Sequence, residues 1–436
     1  MHTKTYPLLL FLFCSLALSA QDTTRYLIHA GRLFDAENAT FLEDRFVFVE
    51  NDRITGVTAA DDAEHEGYTR IDLSEATLTP GLIDAHTHLL FMQRSNVPME
   101  QDIIQHTDHE RILRGAERAR TWLEVGVTSV RDLGNSGTYL DLPLRKALQE
   151  GWVDGPRMFA SGPIISPPGG QFDELPYYHE PIVAKEYAIV RTVEEARREV
   201  ADHAAAGVDV IKICATNDHG LTLSEEEMTA MVEEARRHGL PVTAHATYDD
   251  VIRDAVRAGV DGIEHGYSVN DTTLRMMADS GVYLVPTDGT AEGYIHIFEA
   301  GPDVKIYEEN IRNWVASSQD RLRRAIAAGV EIVWGSDMYL ESTDPPGWSA
   351  LTGLVSYAEA GLSTAQVLQF ATRNGARALG KEGELGVVRA GARADLVAFT
   401  GDLEGDFAGT LREGPVFVMR DGRVYSSLLR SGAQKF

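Results

Sequence analysis

Two histidines, His86 and His88, stand one residue apart in GLIDAHTHLL (residues 81–90), directly after an apolar run. Alternate side chains of a β-strand point to the same face, so both imidazoles would project toward one point in space. This spacing is typical of metal ligands at the end of a strand. A pair of solvated histidines, or of histidines held by structural hydrogen bonds, is the alternative interpretation of this stretch alone.

Four further residues that could bind a metal or transfer a proton lie in or just after other apolar runs. In chain order they are Lys212 in VDVIKICA (208–215), His245 in PVTAHA (241–246), His265 in DGIEHG (261–266) and Asp337 in EIVWGSD (331–337). If these runs are parallel strands, their carboxyl ends share one edge. We therefore expect all six side chains to converge there.

Lys212 is the most informative of the six residues. It is flanked by VDVI and IC, and an unpaired ammonium group in such apolar surroundings is strongly disfavoured. Burial lowers the pKa of a lysine and frees the neutral amine, which can act as a nucleophile. One product is a carbamate formed with carbon dioxide, an anionic ligand able to bridge two cations. A Schiff base is the rival use, but the nearby histidines favour metal.

One pattern recurs along the chain: a helix end, a glycine and then a β-branched run. The glycines are Gly126, Gly207, Gly259, Gly281 and Gly329. Each is expected to close its helix in the left-handed conformation, and each following run to form a buried parallel strand. The amphipathic stretch 224–239 predicts a helix with Ser224 as its N-cap. Repeated units of this kind predict an α/β fold.

The candidate strands set the predicted architecture. There are eight, namely GLIDAHTH, TSVRDLG, RMFASG, VDVIKICA, PVTAHA, DGIEHG, VYLVPT and EIVWGSD. They predict a (β/α)8 TIM barrel over residues 79–383, a fold whose catalytic groups lie at the carboxyl ends of the strands. The flanking segments 21–78 and 384–436 show short alternating strands, and we expect them to form one small β-sandwich domain built from both chain ends.

Residues 1–20 differ from the rest of the chain. They contain an early lysine, an apolar run that ends near Leu18, and the small residues Ser19 and Ala20. This pattern predicts a cleavable signal peptide and hence an exported protein, periplasmic or secreted. A lipid anchor at Cys14 is disfavoured by Phe13. Cleavage would leave Cys214 as the single cysteine, so disulfides within the chain are not expected to contribute to its stability.

The composition excludes some classes of partner. The chain has 436 residues and is 44% hydrophobic, enough to bury a large core. Its 40 Lys+Arg oppose 66 Asp+Glu, and the net charge of -26 disfavours binding to nucleic acid or to an anionic membrane surface. No stable membrane span is expected after signal cleavage. We expect a small-molecule substrate as the partner, and a homo-oligomer is compatible with the sequence.

The ordered set DAHTH, VIKI, AHA, EHG and GSD resembles the amidohydrolase superfamily, most closely its imidazolonepropionase-like and Xaa-Pro-dipeptidase-like branch. The segment GELGVVRAGARADLVAF (383–399) is similar to the part of that family that completes the β-domain. The resemblance implies a binuclear centre, usually of zinc, with carboxylated Lys212 as the bridge. The other implied ligands are His86, His88, His245, His265 and Asp337.

Such a centre implies metal-activated hydroxide as the nucleophile, because bound Zn²⁺ lowers the pKa of water toward neutrality. Asp337 would accept the proton and deliver it to the departing nitrogen. We therefore expect hydrolysis of an amide or peptide C–N bond, most simply in an N-acyl amino acid or a dipeptide. Two alternatives stay open: a cyclic-amide hydrolase of the imidazolonepropionase type, typically with one metal and no ligand lysine, and a non-enzymatic scaffold.

The stretch SGPIISPPGGQFDE (161–174) predicts a long loop over the mouth of the barrel, where substrate contacts are common. In dipeptidase-like relatives this loop commonly reads Gly-Gly-His, whereas this chain has Gln171 in the third position, which loosens the assignment to dipeptides. The candidate substrate contacts are Arg131, Gln171, Tyr178, His219, Tyr248 and Tyr267. For each of them a packing or surface role is the alternative. Cys214 is interpreted as a small buried strand residue.

Overall fold

The computed structural model describes residues 23–59, 66–94, 97–172, 175, 179–217, 220–299 and 307–427. The predicted signal segment 1–20 lies outside these ranges. The described residues form an α/β fold with three sheets. In chain order the strands are β1 (Arg25–Asp35), β2 (Thr40–Glu50), β3 (Arg53–Thr58), β4 (Thr69–Pro80), β5 (Leu82–Thr87), β6 (Val127–Asp132), β7 (Arg157–Ala160), β8 (Ile164–Ser166), β9 (Tyr187–Ile189), β10 (Ile211–Cys214), β11 (Val242–Ala246), β12 (Gly262–His265), β13 (Tyr283–Val285), β14 (Leu396–Thr400), β15 (Phe417–Arg420) and β16 (Arg423–Ser427).

Both ends of the described chain meet in one sheet of seven strands, in the order β16-β15-β14-β4-β1-β2-β3. Strand β14 pairs antiparallel with β4, with Ala398 opposite Leu78. The apolar residues of its buried face form a core of their own, which includes Ile28, Val47, Leu78, Leu396 and Phe417. The two flanking segments therefore pack together as the sequence predicted, here as a single sheet.

Gly81 connects β4 directly to β5. A Cβ at this position would lie 2.0 Å from the Oγ1 atom of Thr128, so only glycine lets the chain pass so close to β6. The mixed sheet thus runs without a loop into the strand that carries the histidine pair.

Two parallel sheets carry the candidate site, one in the order β5-β6-β7 and the other in the order β13-β12-β11-β10-β8-β9. Strands β5, β6, β7, β10, β11, β12 and β13 lie in the first seven predicted strand segments. Backbone hydrogen bonds connect the two sheets on both sides. The N–H of Asp209 donates to the carbonyl of Ala160 (2.8 Å), and the N–H of Ala85 donates to the carbonyl of Trp334 (3.0 Å).

The eighth predicted strand segment, residues 331–337, lies between β13 and β5 but does not form a regular strand. This segment makes one isolated parallel bridge, between Ile332 and Leu284, and is otherwise irregular. Its Gly335 packs so tightly on β5 that a Cβ there would lie 2.7 Å from the Cβ of His86. The chain leaves the regular strand path at this point and turns Asp337 toward the histidines.

The prediction of a continuous loop at residues 161–174 was also wrong in part. Ile164–Ser166 form β8, which lies between β10 and β9 in the parallel sheet. Ile165 is fully buried and pairs with Ile213 of β10. The two isoleucines of β8 gain more from burial against the sheet than the flanking glycines and prolines gain from remaining in a loop.

The helices pack around the parallel sheets and against the mixed sheet. In chain order they are α1 (Glu100–Gln105), α2 (Asp108–Glu124), α3 (Asp141–Gln149), α4 (Glu180–Glu186), α5 (Val193–Ala206), α6 (Glu225–Arg237), α7 (Asp249–Ala258), α8 (Asp271–Ser280), α9 (Ala291–Glu299), α10 (Glu308–Ala327), α11 (Pro346–Ala350), α12 (Thr352–Glu359), α13 (Thr364–Phe370), α14 (Arg373–Ala378) and α15 (Phe407–Glu413). None of these helices, within the part of the chain that the structure describes, is long and apolar enough to cross a membrane.

Local sequence signals begin and end several helices as predicted. Ser224 caps α6 in a capping box: its hydroxyl accepts from the N–H of Glu227, and the Glu227 carboxylate accepts from the N–H of Ser224. The five predicted closing glycines all have positive φ, between 69° and 90°. These left-handed closures turn each helix back toward the parallel strand that follows.

Candidate metal centre

The histidine pair lies at the carboxyl end of β5 and is buried. His86 is 1% exposed and His88 is 6% exposed, and their Nε2 atoms are 3.2 Å apart. Both rings point to the same side of the strand, as the i, i+2 spacing predicted. The alternative of two solvated histidines is therefore excluded by the geometry.

The other ring nitrogen of each histidine is held by the protein. Nδ1 of His86 lies 2.7 Å from the Glu264 carboxylate, and Nδ1 of His88 lies 2.8 Å from the carbonyl oxygen of Gly134. Both partners can only accept, so each Nδ1 carries a proton and Nε2 is the nitrogen of each ring that is left to bind a metal. Burial, reinforced by Lys212, lowers the pKa of His86 to about 4 and keeps it neutral. The two Nε2 atoms face each other.

Asp337 brings a third electron donor to the same point. Its Oδ1 atom lies 3.2 Å from Nε2 of His88 and 3.5 Å from Nε2 of His86, yet it has hydrogen-bond geometry with no group among the described residues. One ligand atom from each of these three residues lies within 4.8 Å of the others. Although burial favours the protonated acid, the two histidines and Lys212 hold the pKa of Asp337 below its ordinary value.

The backbone at the site is strained at three positions. His265, Thr287 and Asp337 have φ angles of 70°, 56° and 52°, in the left-handed region that non-glycine residues rarely adopt. Each such residue costs roughly 1–3 kcal/mol, and such strain concentrates at functional sites. The strain is compensated locally: the N–H of Asp337 donates to the carbonyl of His86 (2.8 Å), which fixes the acid beside the histidine pair.

Lys212, His245 and His265 line the same cavity as the histidine pair and Asp337, so the structure brings all six predicted ligands together. The ring centroid of His265 lies 4.6 Å from that of His245 and 5.2 Å from that of His86. Burial lowers the pKa of Lys212, and burial together with Lys212 lowers the pKa of His245 to about 3. A cluster of buried nitrogen bases therefore faces one carboxylate.

Beneath the cluster lies a charged pair, Arg131 and Glu264, of which the sequence analysis assigned Arg131 as a candidate substrate contact. Arg131 is 1% exposed, and its guanidinium donates to Glu264 (2.8 Å), to the hydroxyl of Tyr283 (2.7 Å) and to the carbonyl of Ala85 (2.7 Å). These bonds orient Arg131 toward the protein, and it does not line the cavity. Despite full burial, Arg131 and His86 hold the pKa of Glu264 at about 2, so the carboxylate that supports His86 is charged.

The cavity over the cluster has a volume of about 640 Å³. Two of the predicted substrate contacts, Gln171 and Tyr267, line it, whereas Tyr248 lies outside it and is 57% exposed. The carboxamide oxygen of Gln171 accepts a hydrogen bond from Tyr187 (3.3 Å). Tyr178 and His219 lie outside the described residues.

Three residues that the sequence analysis missed contribute to the site. Glu264 directly precedes His265 in β12, and a charged residue inside a short apolar run is a signal that could have marked it. Tyr339 lies two residues after Asp337 and stacks edge-on against His88, with ring centroids 5.7 Å apart. Asn135 follows β6 and lines the cavity. Nothing in the sequence around Asn135 distinguishes it from an ordinary turn residue.

The donor set fits a divalent cation. Imidazole nitrogens and a carboxylate oxygen are the ligands that zinc and related ions prefer. The second ring nitrogen of each histidine in the pair is fixed by an acceptor, as in established metal sites. The Oδ1 atom of Asp337 has no hydrogen-bond partner among the described groups, and with both protons on Nδ1 the two Nε2 atoms face each other, so a cation would satisfy all three.

Comparison with known proteins finds similar proteins among the amidohydrolases. The model of the amidohydrolase family matches residues 77–425, most of the chain. The chain is 26% identical over 415 residues to ochratoxinase from Aspergillus niger, covering 88% of this chain and 83% of that protein. It is 25% identical over 413 residues to imidazolonepropionase from Paracoccus denitrificans, covering 86% of this chain and 93% of that protein.

A solved structure with a similar fold is that of a Xaa-Pro dipeptidase with methionine bound in its active site. The two share 26% sequence identity with a TM-score of 0.79, over 93% of this chain and 100% of the dipeptidase chain. Molinate hydrolase has a TM-score of 0.78 at 22% identity, a likeness of fold.

Proposed function

The chain belongs to the amidohydrolase family, and from this premise we propose that it is a metal-dependent hydrolase that cleaves the C–N bond of an amide in a small substrate. The observation that carries the proposal is the convergence at one point of the Nε2 atoms of His86 and His88 and of the Asp337 Oδ1 atom, which has no hydrogen-bond partner among the described residues. These groups form a cation site at the base of a cavity large enough for a small molecule.

We further propose that the centre is binuclear. The site would hold two divalent ions, which we propose to be zinc. Their ligands would be His86, His88, Lys212, His245, His265 and Asp337. Lys212 would act as a carbamate bridge, because burial favours the neutral amine that adds carbon dioxide. When bound, the ions would supply Lewis-acid polarisation of the scissile carbonyl and would lower the pKa of water.

Asp337 would transfer the proton in the reaction. Its backbone is fixed by the bond to His86, so its carboxylate is held at the mouth of the cluster. With a pKa below the ordinary value, the carboxylate is ionised at neutral pH and can accept a proton from the attacking water. It can then donate that proton to the departing nitrogen, which must be protonated to leave as an amine.

For the substrate we propose an N-acyl amino acid or a dipeptide. The similar proteins are an ochratoxinase, imidazolonepropionases and a Xaa-Pro dipeptidase, and this supports an amide over a phosphate ester. A cyclic amide is the second candidate, which the imidazolonepropionases support. Lys212 among the converging bases favours the binuclear, linear-amide version.

Metal content tests the binuclear proposal. Elemental analysis of the purified protein should give close to two divalent ions per chain. Lys212→Ala should lose most of the metal, with partial recovery when a short carboxylic acid such as acetate or propionate replaces the bridge. The exposed Lys185→Ala on α4 is the matched control and should retain both ions. Unchanged metal content in Lys212→Ala would show that this lysine is only structural.

A substrate screen tests the reaction. The metal-loaded protein should hydrolyse members of a panel of N-acyl amino acids and dipeptides, with release of a free amine measured directly. Cleavage of phosphate esters alone would overturn the proposal in favour of a metallophosphoesterase. Hydrolysis confined to cyclic amides would select the second candidate.

The remaining features of architecture and location also enter here as proposals. We propose that the parallel strands close into a (β/α)8 barrel at residues 79–383, supported by the bonds from Asp209 to Ala160 and from Ala85 to Trp334. Residues 21–78 and 384–436 would form the second domain. We propose that residues 1–20 direct export to the periplasm or the medium and are then removed, which mass analysis of the mature amino terminus would test.

A further inference from the structure

A side chamber of about 150 Å³ opens beside the metal cavity and shares Tyr267, Asp337 and Tyr339 with it. Four aromatic and three aliphatic residues line it, together with polar residues that include Thr287, Asp288 and Ser336. The ring centroids of Tyr294 and Trp314 are 5.0 Å apart and those of Tyr267 and Trp314 are 6.0 Å apart, with the rings of both pairs nearly perpendicular. We call this space the aromatic chamber and define it by Tyr267, Tyr294, Trp314, Tyr339, Ile297 and Leu340.

The size of the chamber limits what can enter it. A cavity of about 150 Å³ is large enough for a molecule the size of benzene. Tyr267 and Trp314 are 37% and 39% exposed, so their rings present free surface for a group to cover. Because the chamber shares a wall with Asp337, a group bound there would be attached close to the bond that is cleaved.

The guanidinium of Arg321 disfavours a cationic group at the Tyr267 ring of the chamber. The buried Asp288, which also lines the chamber, is already neutralised by Arg321 at 2.5 Å. The guanidinium of Arg321 also lies 5.1 Å from the ring centroid of Tyr267. The protein itself thus supplies the cation that this ring attracts, and a second positive group at the ring would meet repulsion from Arg321. An uncharged apolar group gains the contacts of the rings without this cost.

We propose that the aromatic chamber is the specificity pocket of the enzyme and binds one compact, uncharged apolar side chain of the substrate, the size of a benzyl or isobutyl group. This inference rests on the proposed function and narrows its substrate class. It selects amides of phenylalanine- or leucine-like residues over those of alanine, lysine or glutamate.

The first test compares matched substrates on the metal-loaded protein. N-acetyl-L-phenylalanine and N-acetyl-L-leucine should be hydrolysed with kcat/KM at least about tenfold above that of the N-acetyl derivatives of alanine and lysine, since filling an apolar pocket is typically worth about 10- to 200-fold. If none of these substrates or any other amide is cleaved, the proposed function fails. If they are cleaved without this preference, the function stands and the inference is wrong.

Two variants change the chamber in opposite ways. Leu340→Trp fills it and should lower kcat/KM for the phenylalanine and leucine substrates at least about tenfold more than for the alanine substrate. Trp314→Ala opens it and should weaken the preference for phenylalanine. Trp152→Ala removes an exposed tryptophan between α3 and β7 and is the matched control, with no change in preference. Equal losses on all substrates in both chamber variants would overturn the inference.

A binding measurement separates the chamber from catalysis. Benzyl alcohol should bind the protein as purified and quench the fluorescence of Trp314, a signal that Trp314→Ala removes and Trp152→Ala retains. Leu340→Trp should abolish the binding. Binding that survives the filling variant would place the apolar site elsewhere and contradict the proposal.

Discussion

Charged residues cluster at both ends of the parallel strands, but the two clusters differ in how their charges are paired. At the amino end of β7, Arg157 donates to Asp395 (2.6 Å) and Asp421 (2.5 Å), and Arg393 donates to Asp421 (3.2 Å). Each of these cations meets acids that the chain itself supplies. This network connects the parallel strands to the mixed sheet and leaves the carboxylates of Asp395 and Asp421 paired.

At the carboxyl end the balance is different. The nitrogen bases around His86 face a carboxylate whose Oδ1 atom has no hydrogen-bond partner among the described residues. A second acid at this end, Asp141, also has one oxygen without a partner in the described part of the chain. A buried charged cluster therefore indicates a binding function when the described residues supply no partner for one of its groups. Buried charge that the chain satisfies is part of the architecture.

The largest expected effect is on the reaction rate. Asp337→Asn should retain most of the metal, because a carboxamide oxygen can still act as a ligand, but it cannot accept and return a proton. We expect the rate to fall by about 10²- to 10⁴-fold. Steady-state kinetics and elemental analysis on the same sample would check this. Normal turnover by Asp337→Asn would remove the distinction between the two ends.

The next effect concerns metal affinity. Glu264→Gln replaces the charged acceptor that fixes Nδ1 of His86 and should weaken metal binding by about 10- to 100-fold. Competition with a chelator would measure the change. The matched control is Glu384→Gln at the amino end, where the acid pairs with Arg53 and Arg393. Equal metal affinity in the two variants would show that the hydrogen bond between Nδ1 of His86 and Glu264 does not contribute to metal binding.

The pH dependence of the free energy of unfolding should reveal the titration of the buried Asp141. Burial and the nearby Asp132 raise the pKa of Asp141 to about 7, against an ordinary value of 3.8. Between these values the folded protein binds a proton that the unfolded chain has lost, so the free energy of unfolding falls as pH rises, by up to about 4 kcal/mol in total. Asp141→Asn should remove this fall and be the more stable protein at pH 8.

Urea unfolding of the metal-saturated proteins at pH 5, 6, 7 and 8 would measure this difference. Asp154→Asn, at an exposed position, is the control and should follow the pH curve of the unmodified protein. Parallel curves for Asp141→Asn and the unmodified protein would show that the acid has a partner in solution.

The smallest effect is expected at the amino end. Arg157→Met leaves Asp395, which is 4% exposed, without its main cation and should destabilise the fold by about 1–3 kcal/mol. The value is moderate because Arg157 is 22% exposed and water screens part of the loss. Metal content and specific activity of the folded variant should not change. A loss of metal would mean that the two ends are coupled through the strands.

Local patterns predicted much of this fold because they act locally. The left-handed glycines, the cap at Ser224 and seven strand segments depend on residues close in sequence. The i, i+2 spacing of His86 and His88 likewise determined their common direction. These features are fixed by backbone sterics and periodicity, which a short stretch of sequence contains in full.

The predictions that failed concern residues whose position depends on a contact with a residue far away in the sequence. The charge of Arg131 was evident, but the bond that turns it away from the cavity is to Glu264, which lies 133 residues away in the chain. The eighth strand is irregular because Gly335 packs on His86 across the fold. The aromatic chamber joins residues of α9, α10 and two loops, and no local pattern relates them.

The pairing of β4 with β14 has a consequence for how the protein is made. The Thr79 hydroxyl and the carbonyl of Val397 that it contacts are 318 residues apart in the chain. At a ribosomal speed of about 5–20 residues per second, the edge of β4 must wait roughly 15–60 s for its partner. Gly81 joins β4 directly to β5, so the histidine pair follows a strand that has β1 on one edge but no partner yet on the other. A stalled nascent chain would expose that edge to aggregation, and chaperone binding is expected to matter most in this interval.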